Sequence, residues 1–512
     1  MNVDDVSHSP RGFEKDDDVA SIHVSNVATP HLGIGDSEDW RMLERRLVRK
    51  LDCRISMLLV LNILNNIDRN NVAAARLRGF ESDLKLTGKE YDTVLSIFYV
   101  GYILLQVPSN MFLNHTGRPS LYLPTCVAVW GVVTILTGVV NSFTGVLLIR
   151  FFLGIVQATF FAGAVFLLSK WYTRKELGLR ITFLYSAHLL GNAFGGLLAS
   201  RILDGMQGKL SLPGWRWLFY IEGSMTVFIA IIAKFVLPDF PTSSRWLSPE
   251  EQELAMHRMA VDGGININDQ ESTEQSTSEI YNGRMPRLQL VTRALGYYGR
   301  GAWLAISDWK IWWLVMSHFM QYWAISFFQF FPTLVASLGY SRRVALILVA
   351  PPWILTAVIA LFISGHSDRR GERFFHILGP LILGIIGYIV WISSMNVVAR
   401  YISLFLAAIS NCGEIVALSW ISSSIPRPPS KRAAAIALIY GLGQLGTFAG
   451  SYCFPSSWGP SYRVSFAICL SLQTLNILMC WGFRTHLKRL NDEMEEADRA
   501  ADQQQKGFRY LL

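Results

Sequence analysis

Little in this chain points to a soluble protein or to an enzyme. Charged residues fill only 16% of its 512 positions, whereas soluble globular proteins carry about 25%. Hydrophobic residues make up 51%, with sixteen Trp and thirty Phe. Cysteine is scarce. Cys53, Cys126, Cys412, Cys453, Cys469 and Cys480 all fall in or beside apolar runs, with no CxxC pair and no His/Cys cluster at metal-ligand spacing. They read as small buried hydrophobes, so no metal or cofactor is expected. No nucleophile–base pair and no HExxH stretch occurs, which argues against an enzyme. The first fifty residues contain Asp16-Asp17-Asp18 and lack an apolar stretch of signal-peptide type, so this end is expected to stay in the cytoplasm. The net charge of +8 does not indicate nucleic acid. The Lys and Arg sit in short clusters between apolar runs, the placement expected of loops flanking a bilayer.

What the chain has in abundance is long apolar runs, and a helix needs roughly 20 such residues to cross a bilayer. Twelve runs qualify, predicting an all-α membrane protein. They lie near 53–73, 91–113, 120–140, 143–168, 179–203 and 216–237, then near 310–336, 342–364, 374–395, 398–423, 432–454 and 462–484. The domain reading is a tail over 1–51, a six-helix bundle over 52–237 and a linker over 238–309. A second six-helix bundle over 310–484 and a tail over 485–512 complete it. Within the linker, Glu271-Ser-Thr-Glu-Gln-Ser-Thr-Ser278 is too polar to pack a core.

Loop charge predicts the orientation. Arg45, Arg46, Arg49, Lys50 and Arg54 share a side with Lys170, Arg174, Lys175 and Arg180. Arg369, Arg370, Arg373, Arg427, Lys431, Arg432, Arg484, Lys488 and Arg489 fall there too, while the other side holds fewer cations. The excess predicts that both termini are cytoplasmic. Asn114-His115-Thr116 matches a glycosylation acceptor but falls on the cytoplasmic side in this orientation.

An ionisable group within a span costs at least about 2.5–3.5 kcal/mol, so each one is a functional candidate. In helix 1, Asn62, Asn65, Asn66 and Arg69 recur at i, i+3, i+4 and i+7, flanked by Asp68 and Asn71. Helix 4 aligns Arg150, Gly154, Gln157 and Phe161. Helix 7 aligns His318, Gln321, Tyr322, Ile325 and Gln329, and helix 10 aligns Asn411, Glu414 and Leu418. Stripes on every third helix suggest one shared central cavity, with His188 and Asn192 of helix 5 as further candidates to border it. Gly191, Gly195 and Gly196 read as packing positions. Gly441-Leu-Gly443-Gln-Leu-Gly446 has the form G-x-G-x-x-G, but no strand precedes it, so a dinucleotide site is rejected.

In their order along the chain, several motifs resemble the major facilitator superfamily, and within it the fungal allantoate permease family of anion:cation symporters. Asn66-Ile-Asp68-Arg69-Asn70-Asn71 is similar to that family's signature at the end of helix 1. Leu105-Gln106-Val107-Pro108-Ser109-Asn110 resembles its helix 2 motif. Arg150-Phe-Phe-Leu-Gly154 through Ser169-Lys-Trp171-Tyr172-Thr-Arg174-Lys-Glu176 resembles its helix 4 signature. Leu237-Pro238-Asp239-Phe-Pro241 with Trp246-Leu-Ser-Pro249-Glu250-Glu251 resembles the start of its central loop. Gly365-His-Ser-Asp368-Arg369-Arg370-Gly371-Glu-Arg373 resembles the loop motif after helix 8. The resemblance implies two bundles rocking around a central site, carboxylate substrates and a proton as coupling ion. Gln157 stands where such relatives usually carry a Glu, and an amide cannot cycle a proton near neutral pH.

The expected site follows. Arg69 would grip a carboxylate through its planar fork, with Asn65, Gln157, Gln321, Tyr322 and Glu414 around the substrate. Asp68 would neutralise Arg69 in the empty state, and Asp68 and Glu414 would carry the proton. Arg150, Asp368, Arg369 and Arg373 would gate. The expected function is plasma-membrane import of a small organic anion. Export of an acidic secondary metabolite is the alternative, and a sensor that binds without transporting is a further one.

Overall fold

The computed structural model describes residues 38–244, 246–263, 300–425 and 429–500. The low-complexity run at 271–278, Arg427, the acidic start of the chain and residues 501–512 lie outside it. Among the described residues all regular structure is helical.

Twelve spanning elements follow one another. The first six are α1 (Glu38–Arg76), α2 (Gly88–Thr116), α3 (Pro119–Thr137), α4 (Phe143–Trp171), α5 (Arg174–Gly205) and α6 (Gly214–Val236). Next come α7 (Trp309–Ala324, a 3₁₀ segment Ser326–Phe330 and Phe331–Ala336), α8 (Arg342–Leu348 and Ala350–Arg370) and α9 (Phe374–Ser393). The last three are α10 (Val397–Ile409 and Asn411–Ser424), α11 (Pro429–Gly450) and α12 (Arg463–Ala500). Among the described residues, eight helices are long and apolar enough to cross a bilayer by composition alone. The elements left out are α1, α2, α7 and α11. Polar side chains depress α1, and α7 is broken. In a bilayer, such helices need protein neighbours rather than lipid.

The packing repeats. In the first half α1 lies on α5, α2 on α4 and α3 on α6; in the second half α7 lies on α11, α8 on α10 and α9 on α12. Adding six to each label turns the first set into the second, as expected of two bundles built to one plan. Between the bundles, α2 packs on α11 and α5 on α8. The closest approaches need glycine: a Cβ on Gly154 would fall 2.0 Å from the Phe98 carbonyl, and one on Gly446 the same distance from that of Phe319. Gly441, Gly443 and Gly446 thus face neighbouring helices, and Gly191 packs on Asn66.

Three spans expected to be continuous are interrupted. In α7, Pro332 cannot donate to the turn before it, and the helix passes through a 3₁₀ segment. In α8, Pro351-Pro352 open a new helix at Ala350. In α10, the Ser410 hydroxyl bonds the Ala407 carbonyl and the Asn411 amide bonds that of Ala408, so side chains compete with the backbone ladder. Two ends reach beyond the expected limits. α1 begins at Glu38, inside the expected tail, and α12 continues to Ala500 with pairs Arg489–Glu493 and Arg499–Glu495 at i,i+4.

The linker also contains a helix, Pro249–Gly263. Ser248 caps it: its Oγ accepts the Glu251 N–H at 3.2 Å, the Glu251 carboxylate accepts the Ser248 N–H at 3.3 Å, and Pro249 occupies the first helical position. Leu254 and Ala255 are buried in the first bundle's core. Lys50 pairs with Glu251 at 2.5 Å, and Arg258 reaches both Glu44 and Glu176 at 2.7 Å.

Candidate functional site

Two unneutralised guanidiniums lie where the bundles meet. Arg69 on α1 and Arg150 on α4 line one cavity with Asn70, Phe98, Tyr99 and, from the second bundle, Gln329. The Arg69 guanidinium stands 5.0 Å from the Phe98 ring centre and 5.1 Å from that of Tyr102, a placement worth about 0.5–2 kcal/mol per ring. Arg150 is buried and donates to the Arg69 carbonyl at 3.4 Å from both terminal nitrogens. Among the described residues neither guanidinium has a carboxylate within ion-pair distance, and the Nε of each is buried without a partner. The free space between the side chains is about 10 Å³, the scale of one water.

Across the interface the second bundle presents a different pair. His318 Nε2 of α7 lies 3.0 Å from Glu414 Oε1 of α10, both side chains almost fully buried. Tyr322 and Tyr440 ring His318 edge-on at 5.9 and 5.5 Å. Tyr185 of α5, its ring tilted against that of His188 at 5.4 Å, and Tyr102 of α2 complete the wall. One side of the site is therefore cationic, the other an imidazole–carboxylate pair, with phenol rings between them.

Several expected placements are corrected. The Asp68–Arg69 ion pair does not form. Asp68 points into the first bundle, where its Oδ2 accepts from Trp130 Nε1 on α3 and Thr226 Oγ1 on α6, each at 3.0 Å. Consecutive helical residues are offset by about 100°, and here the cavity takes Arg69 and Asn70 while Asp68 turns to α3 and α6. Gln321 turns to α12, accepting from Asn476 at 2.8 Å. Gln157 is fully buried, with neither amide atom bonded, and is not among the cavity-lining residues. Asn65 is buried. Arg150, expected as a gate, sits at the centre. Phe160, Phe327 and Trp420 pack in the cores against Trp130, Tyr388 and Phe483, whereas Tyr322 stands beside His318.

The loop residues lie at the basic face, where α4 ends and α5 begins. Arg373 donates to Asp368 at 2.6 Å, and Asp368 abuts Gly178 of α5 in the other bundle. Arg369 is exposed. Absent from the expected site are Phe98, Tyr99 and Tyr102 of α2, which face the arginines. Absent too is Glu222, a lone acid inside the apolar α6, where position alone was the signal.

A family model for the Major Facilitator Superfamily matches residues 58–451, from within α1 to the end of α11. The chain belongs to the major facilitator superfamily. It is a multi-pass membrane transporter. It is 32% identical over 448 residues to the MFS-type transporter cnsO of Penicillium expansum, covering 85% of this chain and 82% of that one. It is 27% identical to a putative tartrate transporter of Agrobacterium vitis, covering 80% and 87%. Among solved structures it resembles a bacterial homolog of the human lysosomal transporter Spinster in an inward-facing, occupied conformation. That match has a TM-score of 0.60 at 15% identity, over 88% of this chain and 98% of that one. The D-xylose–proton symporter matches with a TM-score of 0.56 at 16% identity, over 84% and 98%. Both structural likenesses concern the fold.

Proposed function

We propose that this transporter imports a small organic anion together with a proton, by alternating access, in the manner of the allantoate permease family of anion:cation symporters. The carrying observation is the pair of guanidiniums on one cavity, Arg69 and Arg150, neither held by a carboxylate among the described residues. Two unpaired cations within membrane-spanning helices are costly, and a carboxylate relieves both through charge-assisted hydrogen bonds. The substrate class is carboxylates such as hydroxy acids, sugar acids, ureides or vitamins. The name of the Agrobacterium relative makes tartrate the first compound to try.

Arg69 and Arg150 hold the carboxylate. Tyr322 and Glu414 meet the remainder of the substrate, while Asn65, Gln157 and Gln321 shape the walls from behind. Glu414 with His318, and Asp68, are the proton-carrying candidates. Asp368, Arg369 and Arg373 gate the basic face, which is assigned to the cytoplasm of a plasma-membrane protein with both termini inside. Gln157, an amide in α4, favours the second reading, an exporter of an acidic metabolite.

Purified protein in lipid vesicles tests this with labelled tartrate and a panel of carboxylates, at acidic and neutral external pH. Saturable uptake driven by an acidic exterior supports symport. Efflux from preloaded vesicles without concentrative uptake supports the exporter, and no movement of any carboxylate in either direction sinks the anion reading.

A further inference from the structure

A second polar cluster lies on the flank of α1 that turns away from the anion cavity. Asp68 is tied there to Trp130 and Thr226. One turn further along α1, Asn71 Nδ2 donates to Glu222 Oε2 of α6. Glu222 and Thr226 are themselves a turn apart on α6, so two rungs join the helices with a carboxyl group in each. Asp68 is 1% exposed and Glu222 0%. Their other oxygens, Asp68 Oδ1 and Glu222 Oε1, are buried without a hydrogen-bond partner among the described residues.

The surroundings offer little compensation for two negative charges. α4 brings Arg150, whose field reaches Asp68, and Glu222 feels the Asp68 carboxyl itself. Tyr91 and Tyr99 of α2 lie beyond Arg150. α3 contributes the neutral Trp130, and His188 of α5 interacts with Arg69 instead. Two ionised carboxylates this close, dry and without a cation in contact, are strongly disfavoured.

We propose that Asp68 and Glu222 form a proton-binding site in the first bundle, with the proton held on Glu222 and the charge on Asp68. Arg150 then links this site to the anion cavity. An anion resting on the guanidinium cancels a cationic field that, with the Thr226 and Trp130 hydrogen bonds, favours the charge on Asp68, so anion binding promotes capture of a second proton from water, on Asp68. By reciprocity, that proton strengthens anion binding. The use of the linkage rests on the symport reading; the existence of the proton site does not.

Infrared spectroscopy of the full-length protein in phosphatidylcholine vesicles, with no substrate added, tests the site directly. At neutral pH the native protein should show a protonated-carboxyl C=O band that shifts in D₂O. Glu222→Gln should abolish it, Glu222→Asp should move it, and Asp68→Asn should leave it in place. Arg150→Gln should add a second band of comparable intensity, from Asp68, and Arg150→Lys should not. Far-UV circular dichroism and melting temperature establish that each variant is folded, and the native and Glu222→Asp spectra decide the matter if the others are not. Absence of the band, or its persistence in folded Glu222→Gln, overturns the proton site. An unchanged spectrum in folded Arg150→Gln overturns the linkage. Because no anion enters the measurement, either failure leaves the anion reading standing.

Discussion

Arg69 and Asp68 are adjacent in sequence yet serve opposite sides of one helix. The residue types were legible: a polar stripe through an apolar span must face protein or water, and Arg69 does face the cavity. The direction of its neighbour was not, because the deciding partners Trp130 and Thr226 come from helices far along the chain. For Arg69 the expectation is sharp. Arg69→Lys keeps the charge but loses the planar fork, so saturable uptake of any accepted carboxylate should fall at least about tenfold, the cost of roughly one strong hydrogen bond. Surface expression should persist, and an unchanged KM would remove Arg69 from the site. Glu414 makes a second case. Its contact with His318 joins α7 to α10, and Glu414→Gln removes the carboxylate while keeping the shape. Stimulation of uptake by an acidic exterior should be lost, with counterflow exchange retained; full acid stimulation in that variant would move the coupling elsewhere.

At the scale of elements, twelve apolar runs predicted twelve spans, and their order was readable because each needs a bilayer's length of apolar residues. The breaks were less readable. Pro332 and Pro351-Pro352 are visible signals, but the Ser410–Asn411 break in α10 depends on side chains choosing nearby carbonyls. The linker helix was hidden inside a polar segment, although Ser248-Pro249-Glu250-Glu251 carries a capping box. Burial pushes the Glu251 carboxyl upward, but the Lys50 hydrogen bond and the Ser248 N–H outweigh it and hold the group below its ordinary value. A carboxyl lowered in the folded state contributes its stability in full above its unfolded value. That contribution is lost as pH falls through the lowered one. The helix should therefore remain docked at neutral pH and loosen below about pH 4.5. Hydrogen exchange over 249–263 reads this directly, and Ser248→Ala should raise exchange at neutral pH, a cap being worth about 1 kcal/mol. Exchange that does not change with acidification would assign the docking to Leu254 and Ala255 instead.

For the whole molecule, the seam between α5 and α8 is what the proposed alternating access has to open. It is closed from one face to the other: Asp368 abuts Gly178, Thr182 bonds Ser364 at 2.7 Å, Leu346 meets Gly196, and Asp204 bridges Arg78 and Arg343. At the face away from the basic loops, Arg76 also bonds Ser456 at 3.0 Å and Ser96 bonds Tyr452 at 2.9 Å. Rocking bundles must release one end of this seam while the other holds. Thr182 and Ser364 lie toward the basic end, so a cysteine at each should cross-link under mild oxidant and stop uptake, with recovery on reduction. Asp204→Asn acts at the far end, where it removes the carboxylate between two arginines and leaves them to repel. Opening at that face should be favoured, seen as faster labelling of a cysteine placed at Ser456. The two experiments share one logic: if the cross-linked protein still transports, or Asp204→Asn leaves labelling unchanged, the α5–α8 seam is a static contact and the moving boundary must be sought along α2 and α11.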